Sequence, residues 1–170
     1  MKRAAILVSA LAVALATVSI SAQAPAFAGK WTMDPASAPA PPAGGGGGGG
    51  RGGGRGGGGP VSGMEVTIAQ DATSLTINKM AGGQAPAPVT LKYTLDGKDS
   101  KNTSMGRNGE VVTTSQAVWD GAKLTVTSTA DQGRGPTTTK QSISMEGGNL
   151  VVENFGADGT SMAKLTYKKK

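Results

Sequence analysis

The chain has 170 residues, 17 basic and 11 acidic side chains, a formal charge of +6, and neither cysteine nor histidine. Those two absences exclude disulfides, the usual zinc sites and histidine acid–base chemistry, and with them most common hydrolase mechanisms. Setting aside Lys2 and Arg3, the glycine-tract residues Arg51 and Arg55, and the tail Lys168-Lys169-Lys170 leaves ten basic against eleven acidic residues, so nucleic acid is an unlikely partner for the body of the protein.

Lys2 and Arg3 precede a mainly apolar, uncharged run from Ala4 to Ile20, and Ser21 and Ala22 close it with small residues before Gln23. A basic start, a short apolar core and a small residue at the scission point form an export signal. Residues 1–22 are therefore expected to be removed, leaving an extracytoplasmic protein, periplasmic or secreted. The run is shorter than the ~20 residues of a spanning helix, so no transmembrane span is expected after cleavage. Without a cysteine after the signal, no acylated anchor is available either.

Residues 23–34 contain a short strand-like segment, Phe27-Ala28-Gly29-Lys30-Trp31-Thr32-Met33-Asp34. Residues 35–62 then read as a flexible loop. Residues 35–42 alternate Pro, Ala and Ser, and residues 44–59 are glycine except for Arg51 and Arg55. Glycine has nothing to bury and loses the most entropy on ordering, so disorder is expected there, with an r.m.s. span of roughly 30 Å for the whole loop.

From residue 63 to 170 the chain alternates apolar and polar residues between turn signals, the pattern of strands with one buried face. Met64, Val66 and Ile68 lead through Asp71-Ala72 to Leu75 and Ile77. Val89, Leu91, Tyr93 and Leu95 form the clearest stripe and run into Asp96-Gly97, followed by a looser loop to Gly109. A strand from Glu110 to Trp119 meets Asp120-Gly121, with Leu124 and Val126 beyond. Residues 137–145 pair with residues 150–155 across Glu146-Gly147-Gly148-Asn149, and Asp158-Gly159 leads to a last strand with Ala163, Leu165 and Tyr167. Asp-Gly and Gly-Gly between such runs are strong hairpin signals. The expectation is an all-β antiparallel up-and-down meander of about eight to nine strands. Closure into a small barrel disposes of both exposed edges and is the first choice; an open sheet or sandwich is the alternative.

Gly29-Lys30-Trp31, followed by a meander of hairpins, resembles the Gly-x-Trp signature that opens lipocalins and related calycin barrels. The resemblance also extends to small secreted bacterial lipocalin-like proteins of unknown function. It implies that Trp31 packs at the closed end of a barrel and that Gly29 permits close approach of the first strand. The later arginine that covers this tryptophan in the family has no clear counterpart here. Calycins bind retinoids, fatty acids, biotin or no known ligand, so the resemblance speaks to fold more than to function.

The candidate chemistry is sparse. Ser161-Met162-Ala163-Lys164 matches the Ser-x-x-Lys of penicillin-binding enzymes, yet that pair works one helical turn apart, and on a strand positions i and i+3 face opposite sides. Asp96, Asp120 and Asp158 sit before glycine at hairpin tips, where a structural role suffices. No catalytic residue, metal ligand or cofactor follows from the sequence. Tyr93, Trp119, Phe155 and Tyr167, with Met64 and Met145, line an apolar ligand cavity or simply fill a core; among these Tyr93, Trp119 and Tyr167 are the candidate ligand-binding residues. Two roles remain open, both non-enzymatic: a barrel holding a small apolar ligand, and a cell-envelope interaction or structural protein whose surface and Gly/Arg loop meet an anionic envelope component.

Overall fold

The computed structural model describes residues 25–38, 59–80, 87–106, 109–131, 133 and 135–170. The expected signal at residues 1–22 lies outside them, as do Arg51, Arg55 and most of the glycine tract. Ten strands are present among the described residues: β1 (Gly29–Met33), β2 (Glu65–Gln70), β3 (Ser74–Met80), β4 (Pro88–Thr94), β5 (Asp99–Gly106), β6 (Gly109–Asp120), β7 (Lys123–Asp131), β8 (Pro136–Glu146), β9 (Asn149–Phe155) and β10 (Ser161–Lys169). The count exceeds the expected eight to nine because residues read as a loose loop before Gly109 form β5. That segment, Asp-Ser-Lys-Asn-Thr-Ser-Met-Gly, carries almost no apolar residues, so a hydrophobic alternation could not reveal it.

All neighbouring strands are antiparallel, in the order β4-β3-β2-β1-β10-β9-β8-β7-β6-β5. The sheet is an up-and-down meander curled into a nearly closed barrel. Its first and last strands lie side by side: Trp31 stands opposite Lys169 on β10 and opposite Val66 on β2. Primed turns supply the tight corners. At the β8–β9 hairpin both Gly147 and Gly148 have positive φ, 56° and 82°, the geometry whose twist matches that of the flanking strands.

The seam falls between β4 and β5, where side chains substitute for a backbone ladder. Asn102 on β5 accepts from the Lys92 N–H through Oδ1 at 2.8 Å and donates through Nδ2 to the Lys92 carbonyl at 3.0 Å. Ser100 Oγ accepts from the Thr94 N–H at 2.9 Å. Polar β5 thereby satisfies the exposed edge of β4, which otherwise offers unpaired groups to another chain. Asn102→Ala should leave the Lys92 N–H and C=O without that partner. Hydrogen exchange at Lys92 should rise at least tenfold, while exchange across the β7–β8 ladder stays unchanged.

Alternation places Trp31, Val66, Ile68, Leu75, Ile77, Tyr93, Ala117, Leu124, Val126, Ile143, Leu150, Val152 and Tyr167 in one buried cluster. Two residues outside the ladder join them, Phe27 and Val61, both fully buried. Burying apolar side chains of this size contributes ~1.5–3 kcal/mol each, enough for a core without disulfides.

Candidate functional site

Two separate segments enter the barrel, one near each end. Near the end that carries the β6–β7 and β8–β9 turns, residues 25–28 fold beneath the strands. Phe27 stacks on Trp119 with ring centroids 5.5 Å apart and planes at 23°. Its N–H donates to Gln70 Oε1 at 2.7 Å, and its carbonyl accepts from Trp31 Nε1 at 2.8 Å. Gly29 has φ 148°, and a Cβ there would lie 3.0 Å from Lys169 Cε. Lys169 in turn holds its ammonium 5.7 Å from the centre of the Trp31 ring. A cation therefore does cover the tryptophan, and it is a lysine, which sequence inspection for an arginine could not find.

At the opposite end, residues 59–63 turn inward as a strap. These residues close the segment read from sequence as flexible, yet Gly59, Pro60 and Val61 are buried. Their anchor is Gln141 on β8, 1 % exposed. Gln141 Oε1 accepts from the Val61 N–H at 2.8 Å, and Nε2 donates to the Val61 carbonyl at 2.9 Å and to Asn154 Oδ1 at 2.7 Å. The side-chain amide thus pairs with both polar groups of Val61 as a neighbouring strand would. A Cβ on Gly59 would lie 2.5 Å from Gln141 Nε2, so a larger residue there would displace the amide from Val61.

Two more side chains hold the strap through three hydrogen bonds. Lys79 Nζ donates to the Gly59 carbonyl at 3.0 Å and to Ser62 Oγ at 2.9 Å, and the Tyr167 hydroxyl donates to the Gly63 carbonyl at 3.1 Å. The strap has room because nearby inward positions are small. Ser115 and Ser128 face each other with oxygens 2.9 Å apart, and Ala117 lies beside them across from Val126.

Burial sets the titration of this end. It lowers Lys79 from 10.5 to about 8 and raises Tyr167 from 10 to about 12; towards the other end it also raises Tyr93. Between about pH 8 and 10 the unfolded chain keeps the Lys79 proton that the folded chain has released, so stability should rise with pH. Above pH 10 the unfolded tyrosines ionise before the folded ones, and stability should fall. Lys79→Met should abolish the rise, as read from urea midpoints at pH 7, 8, 9 and 10.

Of the residues singled out in the sequence, Trp31, Tyr93 and Tyr167 are buried, Gly29 opens β1, and Trp119 is half-buried against Phe27. Tyr167 reaches the strap, while Trp119 belongs to the other end, so the candidates do not converge on one pocket. Met64 is 56 % exposed because it precedes β2, and Phe155 shares the outer face with Lys140, whose ammonium lies 5.6 Å from its ring centre. The sequence reading missed Gln141, Asn154 and Lys79. One signal was present: Gln141 has the inward parity of Ile143 and Met145.

Outside the barrel, an open groove of about 410 Å³ runs between Thr127, Thr138 and Lys140 and the turn at Gly156 and Gly159. Among the described residues no group of three acidic side chains converges as a metal site, and no helix is long and apolar enough to cross a membrane. No family model matches the chain, and no curated protein matches it.

Proposed function

We propose that this is an exported, non-enzymatic binding barrel of the calycin type that holds a small apolar ligand in its interior. One observation carries the reading: part of the interior is filled by residues outside the strands, Phe27 and Val61, rather than by the barrel wall. Such segments can leave without breaking a single ladder, and each vacates an apolar space. The calycin likeness is supported by Gly29-Lys30-Trp31 at the start of the barrel, by the burial of Trp31 and by the lysine over its ring. Export rests on the basic start and apolar run of residues 1–22.

Native mass spectrometry of protein purified from its own host tests this, together with titration of an environment-sensitive apolar fluorophore. A retained small molecule, or saturable binding at one site per chain, supports the reading. Neither mass shift nor saturation sinks it.

A second reading has its own observation. Met64, Met80, Met105 and Met162 are each more than half exposed, and all lie towards the end of the barrel where the strap enters. An apolar rim beside a connection bearing Arg51 and Arg55 suits an envelope-interaction protein that meets an anionic surface. In that case Arg51→Ser with Arg55→Ser should reduce co-sedimentation with anionic vesicles at low salt, and high salt should erase the difference. Equal binding by both proteins in every condition removes the arginines from the account.

A further inference from the structure

We propose that Gln141, Asn154 and Lys79 form a recognition site for a short bent peptide segment, which the chain's own residues 59–62 fill in the resting state. The proposal rests on the interior being a binding site and names the class of ligand it takes there.

The chemistry is that of peptide recognition. A fully buried side-chain amide matches one residue's N–H and C=O together, at 2.8 and 2.9 Å. Asn154 orients that amide, because its Oδ1 accepts the second Nε2 hydrogen at 2.7 Å and so fixes which end of Gln141 donates. Two residues upstream, the carbonyl of Gly59 is read by Lys79, which also takes the hydroxyl of Ser62. The aliphatic side chain of Val61 is fully buried between these contacts. Backbone groups supply most of the hydrogen bonds and one buried side chain supplies selectivity, the division of labour by which a peptide is held through its main chain.

Two features favour recognition over mere filling. A core gap is filled most cheaply by larger apolar side chains, since each buried polar group must find a partner to offset its desolvation. Here the wall instead presents Gln141, Asn154, Lys79, Ser115 and Ser128 inward, with Gln141 and Lys79 bonded to the strap and Asn154 to Gln141. The contact is also selective along the chain. A Cβ at the position of residue 59 would lie 2.5 Å from Gln141 Nε2 and push that amide off its partners, and the aliphatic side chain two positions later is fully buried. The ligand is therefore a Gly-Pro-aliphatic-Ser segment, with two possible sources: a separate polypeptide, or the strap of a second copy of this chain.

The test uses the full chain carrying Val61→Asp, which disfavours burial of the strap by placing a carboxylate in the core and leaves the receptor side chains intact. The probe is a fluorescein-labelled peptide of sequence Gly-Gly-Pro-Val-Ser-Gly. The variant should bind it saturably and at least tenfold more tightly than wild type, whose site is occupied. Adding Gln141→Leu, or using a peptide with alanine at the position of Gly59, should weaken binding at least tenfold. A folded Val61→Asp variant that does not bind the peptide overturns the proposal, as does binding indifferent to Gln141. Should that variant bind the apolar fluorophore and not the peptide, the peptide assignment fails while the binding barrel stands. If it binds neither, both readings fall.

Mixing the variant with wild type separates the sources: a heterodimer by native mass spectrometry identifies the strap of a second copy as a competent ligand, and peptide binding with no heterodimer identifies a separate polypeptide. If Val61→Asp does not fold, wild type decides the matter. Excess peptide should then accelerate exchange of the Val61 N–H at least tenfold, and unchanged exchange overturns the proposal.

Discussion

Replacing Trp31 with alanine should lower the free energy of unfolding by about 3–5 kcal/mol, the usual loss for removing a fully buried large aromatic side chain. Its position argues for the upper part of that range. Trp31 is 1 % exposed on β1, the strand that joins β2 to β10. Its indole N–H, with Gln70, also ties residues 25–28 to the barrel, through the Phe27 carbonyl. Losing the ring therefore loosens Phe27 and its stack on Trp119. Trp31→Phe keeps most of the packing and loses that hydrogen bond, for which about 1 kcal/mol is expected beyond the change in size. Urea unfolding followed by circular dichroism measures both. A loss below about 1 kcal/mol for the alanine variant would mean that Trp31 does not hold that end of the barrel together.

Gln141→Leu should release the strap. The substitution nearly conserves volume but leaves the Val61 N–H and C=O without their partner, and a buried group so abandoned costs about 1–3 kcal/mol. With two such groups, keeping the strap in place costs roughly 2–6 kcal/mol. Letting it out into water forfeits the burial of Val61, worth about 1.5–3 kcal/mol. The smaller cost wins, so the net destabilisation should be about 2–3 kcal/mol, with the strap outside. Exchange at Val61 should approach the rate of an unstructured peptide while the β7 and β8 amides remain slow. Continued protection of Val61 would show that something other than Gln141 holds the strap.

Much of this architecture is written in local pattern. A strand that packs one face must alternate, so Val89-Thr90-Leu91-Lys92-Tyr93 and Leu124-Thr125-Val126 announce themselves, as do the glycine-bearing corners at 97, 121, 147 and 159. β5 was not legible because its inward residues, Ser100 and Asn102, serve the seam through hydrogen bonds rather than the core through apolar area. The strap was not legible for the opposite reason. Val61 is a single apolar residue at the end of a glycine tract, and one residue has no period.

The sequence by itself determined the all-β meander and the burial of Tyr93 and Tyr167, because these follow from turn chemistry and from the period-2 geometry of a strand, while the burial of Trp31 followed from the Gly-x-Trp resemblance. Only the tertiary structure decided which strands flank the seam, that Lys169 covers Trp31, and that Gln141, Asn154 and Lys79 meet at residues 59–62. Those pairings join residues as many as 138 positions apart, as with Trp31 and Lys169. The curl of the whole sheet brings them together, and nothing in the chain around Gln141 states that its partner is Val61, 80 residues earlier.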